Sequence, residues 1–115
     1  PRAEARLLQE LTLARHEHVL EVGAGSGYMA ALLAHQAARV TTLEIRPALA
    51  AMARANLQRA GIRNATVQEA DGAKGLPAQA PFDAIVLSGS VADVPPALLA
   101  QLKIGGRLVG LLEAG

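Results

Sequence analysis

The sequence predicts a doubly wound α/β domain, in which helices cover both faces of an open, mostly parallel sheet. Short strand-like stretches alternate with helix-like stretches at the period of βαβ units. A glycine-rich turn follows the first strand-like stretch, where such folds bind ligands. The 115 residues, 51% of them apolar, suffice for one compact core and hardly allow a second. We therefore expect a single domain over residues 1–115.

Apolar spacing and turn residues predict two helices and two strands in the first half of the chain. Residues 2–13 place leucines near helical spacing and predict an amphipathic helix. Residues 19–22 predict a short buried strand, and residues 28–35 form an Ala/Leu stretch without a helix breaker. Residues 39–43 are β-branched and predict the second strand.

The second half begins with the helix that has the clearest end signals. Pro47 suits a first helical turn, and Gly61 is placed to cap the carboxyl end. The remaining predicted elements are strands at 65–69 and 82–87, a helix at 95–102 and a fifth strand at 107–112. A sheet built in this way binds ligands outside the carboxyl ends of its strands, where the strand order reverses.

The turn after the first strand carries the motif Glu21-Val22-Gly23-Ala24-Gly25-Ser26-Gly27. Alternate glycines let the backbone turn tightly and approach a ligand without Cβ clashes. The next helix directs free N–H groups at that ligand and favours a carboxylate or phosphate. The Gly-Lys-Ser/Thr of a phosphate loop is missing, and the glycine spacing differs from that of a dinucleotide fingerprint. A purely structural glycine turn is the alternative.

Acidic residues lie at or next to the carboxyl end of each of the first three predicted strands. Glu21 suits a ligand with an ammonium group, and the helix end suits its carboxylate, which together describe the methionine end of S-adenosylmethionine. Glu44, which ends the second strand, can accept hydrogen bonds from a ribose diol. Asp71 can accept from an adenine amino group while Gly72 lets the backbone pass close. The alternatives are a solvated loop acid at Glu44 and a plain turn at Asp71-Gly72.

The fourth strand has candidates at both ends. Ser88, Gly89 and Ser90 leave its carboxyl end and face the expected place of a methyl acceptor, with a flexible turn as the alternative. Asp83 lies at the opposite end and is assigned to turn chemistry, and the three histidines to surface or strand-flanking positions. No catalytic residue is assigned. The candidate cofactor-binding residues are Glu21, Gly23, Ala24, Gly25, Ser26, Gly27, Glu44, Ile45, Asp71, Gly72 and Ser88.

Composition argues against several other classes of function. The net charge is +1 and no Lys/Arg run stands out, so neither a nucleic acid nor a membrane partner is expected. Cysteine is absent and the histidines lack spaced partners, so no metal site is expected. No apolar run approaches the roughly 20 residues of a membrane span, and the amino terminus lacks a signal pattern. We expect a cytoplasmic protein.

Further segments carry a resemblance to a known family. The first matching segment is the run from Val19 to Tyr28. The others are Asp71-Gly72, Pro81-Phe82-Asp83-Ala84-Ile85-Val86, Val94-Pro95, Gln101-Leu102-Lys103 and Gly105-Gly106-Arg107-Leu108. With these segments, residues 19–110 resemble the protein-L-isoaspartate O-methyltransferase family of class I methyltransferases. The resemblance implies a Rossmann-like core with strand order 3-2-1-4-5, whose later strands are absent from this chain.

The resemblance also implies an activity. The cofactor would be S-adenosyl-L-methionine, bound at Glu21, residues 23–27, Glu44 and Asp71, and the product S-adenosyl-L-homocysteine. The reaction would be repair-type carboxyl O-methylation of L-isoaspartyl residues in a protein or peptide substrate. Such a carboxylate is anionic near neutral pH and needs no general base.

The sequence departs from the family at two places. Ser88-Gly89-Ser90-Val91 replaces an alanine-rich run, and residues 1–13 do not match a loop that holds a functional hydroxyl. We therefore expect a fragment of a longer chain, with catalytic residues in the missing segments and with the fifth strand as an open edge that could pair with a second copy. Two alternatives stay open: a methyltransferase acting on a small molecule or RNA, and a non-catalytic cofactor-binding module.

Overall fold

A computed structural model describes residues 3–88 and 93–110, which form a five-stranded sheet with helices on both faces. All four strand pairings are parallel, and the order is β3-β2-β1-β4-β5. The doubly wound class and the expected order 3-2-1-4-5 are thereby confirmed. In chain order the elements are α1 (Ala3–Leu11), β1 (His18–Val22), α2 (Tyr28–Ala34), β2 (Arg39–Glu44), α3 (Pro47–Arg59), β3 (Ala65–Glu69), β4 (Phe82–Leu87), α4 (Pro96–Leu99) and β5 (Leu102–Gly110).

The sheet separates two apolar clusters. Because side chains alternate across a strand, neighbours in β1 point to opposite faces: Val19 joins the cluster under α1, α2 and α3, and Leu20 joins the cluster on the α4 side. The second cluster also contains Phe82 and Leu98. With both faces covered, the central strands are buried apart from their ends. No helix of the described residues is long and apolar enough to cross a membrane.

The carboxyl end of α3 confirms the predicted glycine cap. Gly61 follows the last helical turn with a φ of 73°. The N–H of Gly61 donates to the Gln58 carbonyl and that of Ile62 to the Leu57 carbonyl, both at 3.0 Å. This pair of bonds satisfies carbonyls that the helix end leaves free, and it turns the chain towards β3.

The predicted boundary between the last helix and the fifth strand is wrong. α4 ends at Leu99, and β5 begins at Leu102 rather than at residue 107. The cause is a contact with β4 that is distant in the sequence: Phe82 donates its N–H to the Gln101 carbonyl at 2.7 Å and pairs with Leu102. A bulge before Arg107, which pairs with Ala84, then absorbs the extra residues. The expected strand end at residue 112 lies outside the described residues.

Asp83 does not serve the turn to which the sequence assigned it. Its carboxylate accepts the backbone N–H of His18 at 2.8 Å and forms an ion pair with Lys103 at 3.3 Å, so it links β4 to β1 and β5. His18 packs edge-on against Phe82 with ring centroids 4.8 Å apart. Burial, followed by the nearby Arg39 charge, lowers the pKa of His18 to about 4. These residues lie at the amino edge of the sheet and stabilise the fold.

A second ion pair ties the turn before β1 to β5. Arg107 donates to both carboxylate oxygens of Glu17, at 2.9 and 3.0 Å, and Glu17 is 8% exposed. The Arg107 bond lowers the pKa of Glu17 from 4.5 to about 2. Since the folded pKa lies below the unfolded one, the pair stabilises the protein above about pH 4.5 and loses this effect as the pH falls towards 2.

We expect Glu17→Gln to lower the free energy of unfolding by about 2 kcal/mol near neutral pH, because the amide leaves a partly buried guanidinium unneutralised. Urea unfolding measures this loss, which should shrink as the pH falls from 4.5 towards 2. Lys103→Gln is the control, since Lys103 is 47% exposed and its loss should cost about 0.5 kcal/mol or less. A loss for Glu17→Gln that is the same at every pH would contradict the charge-based explanation.

Candidate cofactor-binding site

A cleft of about 530 Å³ opens at the carboxyl edge of the sheet. It lies at the carboxyl end of β1, which has β2 on one side and β4 on the other. This is the point at which the strand order reverses. Its volume is within the range of small-molecule sites. Every predicted cofactor residue except Gly27 lines it: Glu21, Gly23, Ala24, Gly25, Ser26, Glu44, Ile45, Asp71, Gly72 and Ser88.

The glycine loop turns sharply at the mouth of the cleft. Gly23, Gly25 and Gly27 have φ values of 96°, 51° and 87°, which residues with a Cβ rarely adopt. The N–H of Gly23 donates to the Leu43 carbonyl at 2.8 Å. Within the described residues, the N–H groups of Gly25 and Ser26 have no acceptor. They are available to an anionic group of a ligand.

Gly27 is the predicted residue that the structure places outside the cleft. A Cβ there would come within 3.1 Å of the Ala53 carbonyl oxygen and 3.3 Å of its Cα. Its absence allows the start of α2 to contact α3. Asn56 of α3 reinforces this contact by donating to the Ser26 carbonyl at 2.8 Å. Gly27 therefore acts on the loop through packing.

The Glu44 carboxylate is fixed by backbone N–H groups of two segments, the glycine loop and the turn before α3. One oxygen accepts the N–H of Ala24 at 3.1 Å and the other that of Arg46 at 3.0 Å. Glu44 is only 6% exposed, which rules out a solvated loop acid. Each carboxylate oxygen can accept a second hydrogen bond. The side chain is therefore held ready to accept two hydroxyl groups of a ligand.

Glu21 is a fully buried carboxylate at the base of the cleft. Thr42 Oγ1 donates to one of its oxygens at 2.7 Å and Ser88 Oγ to the other at 2.5 Å. Burial raises the pKa of Glu21 to about 7, against the two hydroxyl bonds, which lower it, and with a smaller increase from Glu44. Near neutral pH the carboxyl group is therefore close to the midpoint of its titration.

Asp71 and Gly72 lie on the third side of the cleft. Asp71 is exposed, and one of its oxygens accepts the N–H of Ala73 at 3.0 Å, which caps a short 3₁₀ turn. A Cβ on Gly72 would come within 2.2 Å of Val22 Cγ1, so glycine lets the backbone of this turn pack against β1 beside the cleft. The turn geometry leaves the second Asp71 oxygen free of partners within the described residues.

Several residues of the cleft could not be predicted from the sequence. Glu4 reaches it from α1, and Arg46 and Leu49 from the start of α3; the others are Val22, Tyr28, Met29, Leu43 and Ala73. No local pattern points to Glu4, because the packing of α1 brings it there. Four carboxylates and a single cation, Arg46, belong to the described lining, so the cleft favours a positively charged ligand.

The sequence also led to expectations about a methyl-acceptor segment after Ser88 and about metal binding. Gly89, Ser90 and Val91 lie outside the described residues. In the described part of the chain, no group of three or more histidine, aspartate or glutamate side chains is arranged to hold a metal ion.

The chain is similar to known methyltransferases. The sequence model of the protein-L-isoaspartate(D-aspartate) O-methyltransferase family matches residues 1–113. A protein-L-isoaspartate O-methyltransferase of Koribacter versatilis is 49% identical over 109 residues, which cover 95% of this chain and 49% of that protein. The chain thus spans about half the length of the curated relatives it matches.

Solved structures show the same fold. A protein-L-isoaspartate O-methyltransferase superimposes with a TM-score of 0.83 at 32% identity, over 91% of this chain and 34% of the other. A methyltransferase of Thiobacillus denitrificans, solved in complex with S-adenosyl-L-homocysteine, superimposes with a TM-score of 0.78 at 22% identity, over 95% of this chain and 47% of the other.

Proposed function

Because the chain belongs to the protein-L-isoaspartate(D-aspartate) O-methyltransferase family, we propose that it forms the cofactor-binding core of an enzyme that methylates isoaspartyl carboxylates in proteins or peptides. The main observation behind the proposal is the acidic cleft at the carboxyl edge of the sheet, where Glu21, Glu44 and Asp71 lie at the carboxyl ends of three neighbouring strands. These carboxylates suit the three polar parts of S-adenosylmethionine.

The residues of the cleft fit this cofactor part by part. The N–H groups of Gly25 and Ser26 would meet its carboxylate, and the buried Glu21 would balance its ammonium group. Glu44, fixed by two backbone bonds, would accept the two ribose hydroxyls. Asp71 would accept from the adenine amino group, beside the exposed apolar side chain of Ile45.

The net charge of the ligand supports the same assignment. S-adenosylmethionine carries two positive groups and one carboxylate, so it is a cation. The described lining of the cleft holds Glu4, Glu21, Glu44 and Asp71 against Arg46 alone. Such an excess of negative charge at short range stabilises a bound cation.

The chemistry required of the chain is mainly alignment. When bound, S-adenosylmethionine supplies a methyl group bonded to a positively charged sulfur. The sulfur is a good leaving group, because it becomes a neutral thioether when the methyl group is transferred. The isoaspartyl carboxylate is already an anion near neutral pH, so no residue has to remove a proton. The glycine loop, Glu44 and Asp71 would hold the cofactor in one orientation, which makes an in-line attack more frequent.

The test is methyl transfer from labelled S-adenosylmethionine to an isoaspartyl peptide and to its normal aspartyl twin, catalysed by a protein that contains this chain and has the full length of its curated relatives. We expect base-labile label, released as methanol, on the isoaspartyl peptide alone. Binding of S-adenosylhomocysteine is measured in the same sample as the control for an intact cleft. Bound cofactor without label on either peptide would contradict the proposed substrate, and would favour a small-molecule or RNA acceptor or a non-catalytic module.

A further inference from the structure

The Glu21 carboxylate is held between two hydroxyl groups, those of Thr42 and Ser88, and we call this arrangement the clamp. β1 lies between β2 and β4, and Thr42 of β2 is the direct cross-strand partner of Glu21. Thr42 donates to one oxygen at 2.7 Å, and Ser88, which follows β4, donates to the other at 2.5 Å. Ser88 is itself held in place, since its N–H donates to the Val22 carbonyl at 3.0 Å. Both oxygens thus have a donor.

These two hydroxyls are what favours a charged Glu21. The side chain is fully buried, and no lysine or arginine of the described residues pairs with it. Glu44 is the charged group that acts on it, and its like charge opposes ionisation. Burial raises the pKa to about 7, and the bonds from Ser88 and Thr42 lower it. Loss of either donor should therefore favour the neutral acid.

We propose that Thr42 and Ser88 are positioning residues that keep Glu21 ionised and oriented, and thereby set the pH range in which the cleft accepts the ammonium group of its cofactor. The inference rests on the proposed function, because the cofactor supplies that ammonium group. A cation beside Glu21 favours the ionised form, so binding releases a proton from the neutral fraction. Affinity therefore rises with pH through the titration of Glu21 and becomes constant above it.

The clamp is tested by calorimetric titration with S-adenosylhomocysteine, which keeps the ammonium group, between about pH 5.5 and 8.5. For the unaltered protein we expect affinity to rise several-fold over this range, with proton release near the midpoint. Ser88→Ala and Thr42→Val should each move the midpoint upwards by about one pH unit, because each removes one donor to the carboxylate. For Thr42→Val, whose side chain does not line the cleft, affinity should return to within about twofold at the highest pH.

Two variants separate the clamp from general effects on the fold. Thr42→Ser keeps the hydroxyl and should restore the midpoint of the unaltered protein. Thr41→Val removes the neighbouring buried hydroxyl, which contacts His18 and Gln79 instead of Glu21, and should leave the midpoint unchanged. Circular dichroism reports whether each variant is folded, and Ser88→Ala tests the clamp even where Thr42→Val does not fold.

The outcomes distinguish the clamp from the proposed function. Weakening that is equal at every pH, with an unmoved midpoint, would overturn the clamp, as would an unaltered protein whose affinity does not change across the range. Failure of the unaltered protein to bind S-adenosylhomocysteine at any pH would instead overturn the proposed function.

Discussion

Glu44→Ala is expected to weaken S-adenosylhomocysteine binding by about 1 to 3 kcal/mol, or roughly 5- to 150-fold in Kd. The ribose hydroxyls would lose their acceptors. In addition, the N–H groups of Ala24 and Arg46 would lose theirs, at 3.1 and 3.0 Å, and the glycine loop would be less well ordered before the ligand arrives. Calorimetric titration of both proteins measures the difference.

Glu69→Ala is a matched control for this prediction. Glu69 is the cross-strand neighbour of Glu44, at the same end of the sheet, but it is exposed and pairs with Arg54 only at 3.8 Å. We expect its replacement to leave the affinity unchanged and the free energy of unfolding within about 0.5 kcal/mol. Unchanged affinity in Glu44→Ala as well would refute the ribose role.

Glu21→Gln is expected to raise the free energy of unfolding, whereas Glu17→Gln is expected to lower it. The folded pKa of Glu21, about 7, lies above its ordinary value of 4.5. The group therefore contributes stability below about pH 4.5, and this contribution is lost as the pH rises to 7. A neutral amide avoids the cost of a buried charge, and its two ends can serve both hydroxyls. Without ligand, we expect the variant to be more stable by about 2 to 3 kcal/mol near pH 8.

Urea unfolding at several pH values tests this expectation. The difference between the two proteins should be small near pH 4.5 and grow towards pH 7, because the other titrating groups, such as Glu17 and His18, are common to both. The same variant should bind S-adenosylhomocysteine more weakly, since it cannot balance the ammonium group. A variant that is less stable at high pH would show that Glu21 stabilises the fold as an anion.

The fold class could be predicted from local signals in the sequence: apolar runs bounded by turn residues, Pro47 and Gly61 around one helix, and glycines at alternate positions after the first strand. The family and the strand order were predicted from the resemblance of longer segments to a known family. Since parallel strands end at one edge, the acidic residues at the ends of three of them had to lie near one another there. Their part in cofactor binding stays a prediction.

Other features depend on contacts between residues far apart in the chain, which no local pattern reports. Phe82 draws Gln101 and Leu102 into the sheet and shortens α4. Packing of α1 brings Glu4 into the cleft, whereas Gly27 turns away to contact Ala53. The clamp on Glu21 depends on Thr42, 21 positions further along the chain, and on Ser88, 67 positions further along. The pKa of Glu21, about 7, follows from burial, which raises it, and from two hydroxyl bonds, which lower it, and these exist only once the sheet has formed.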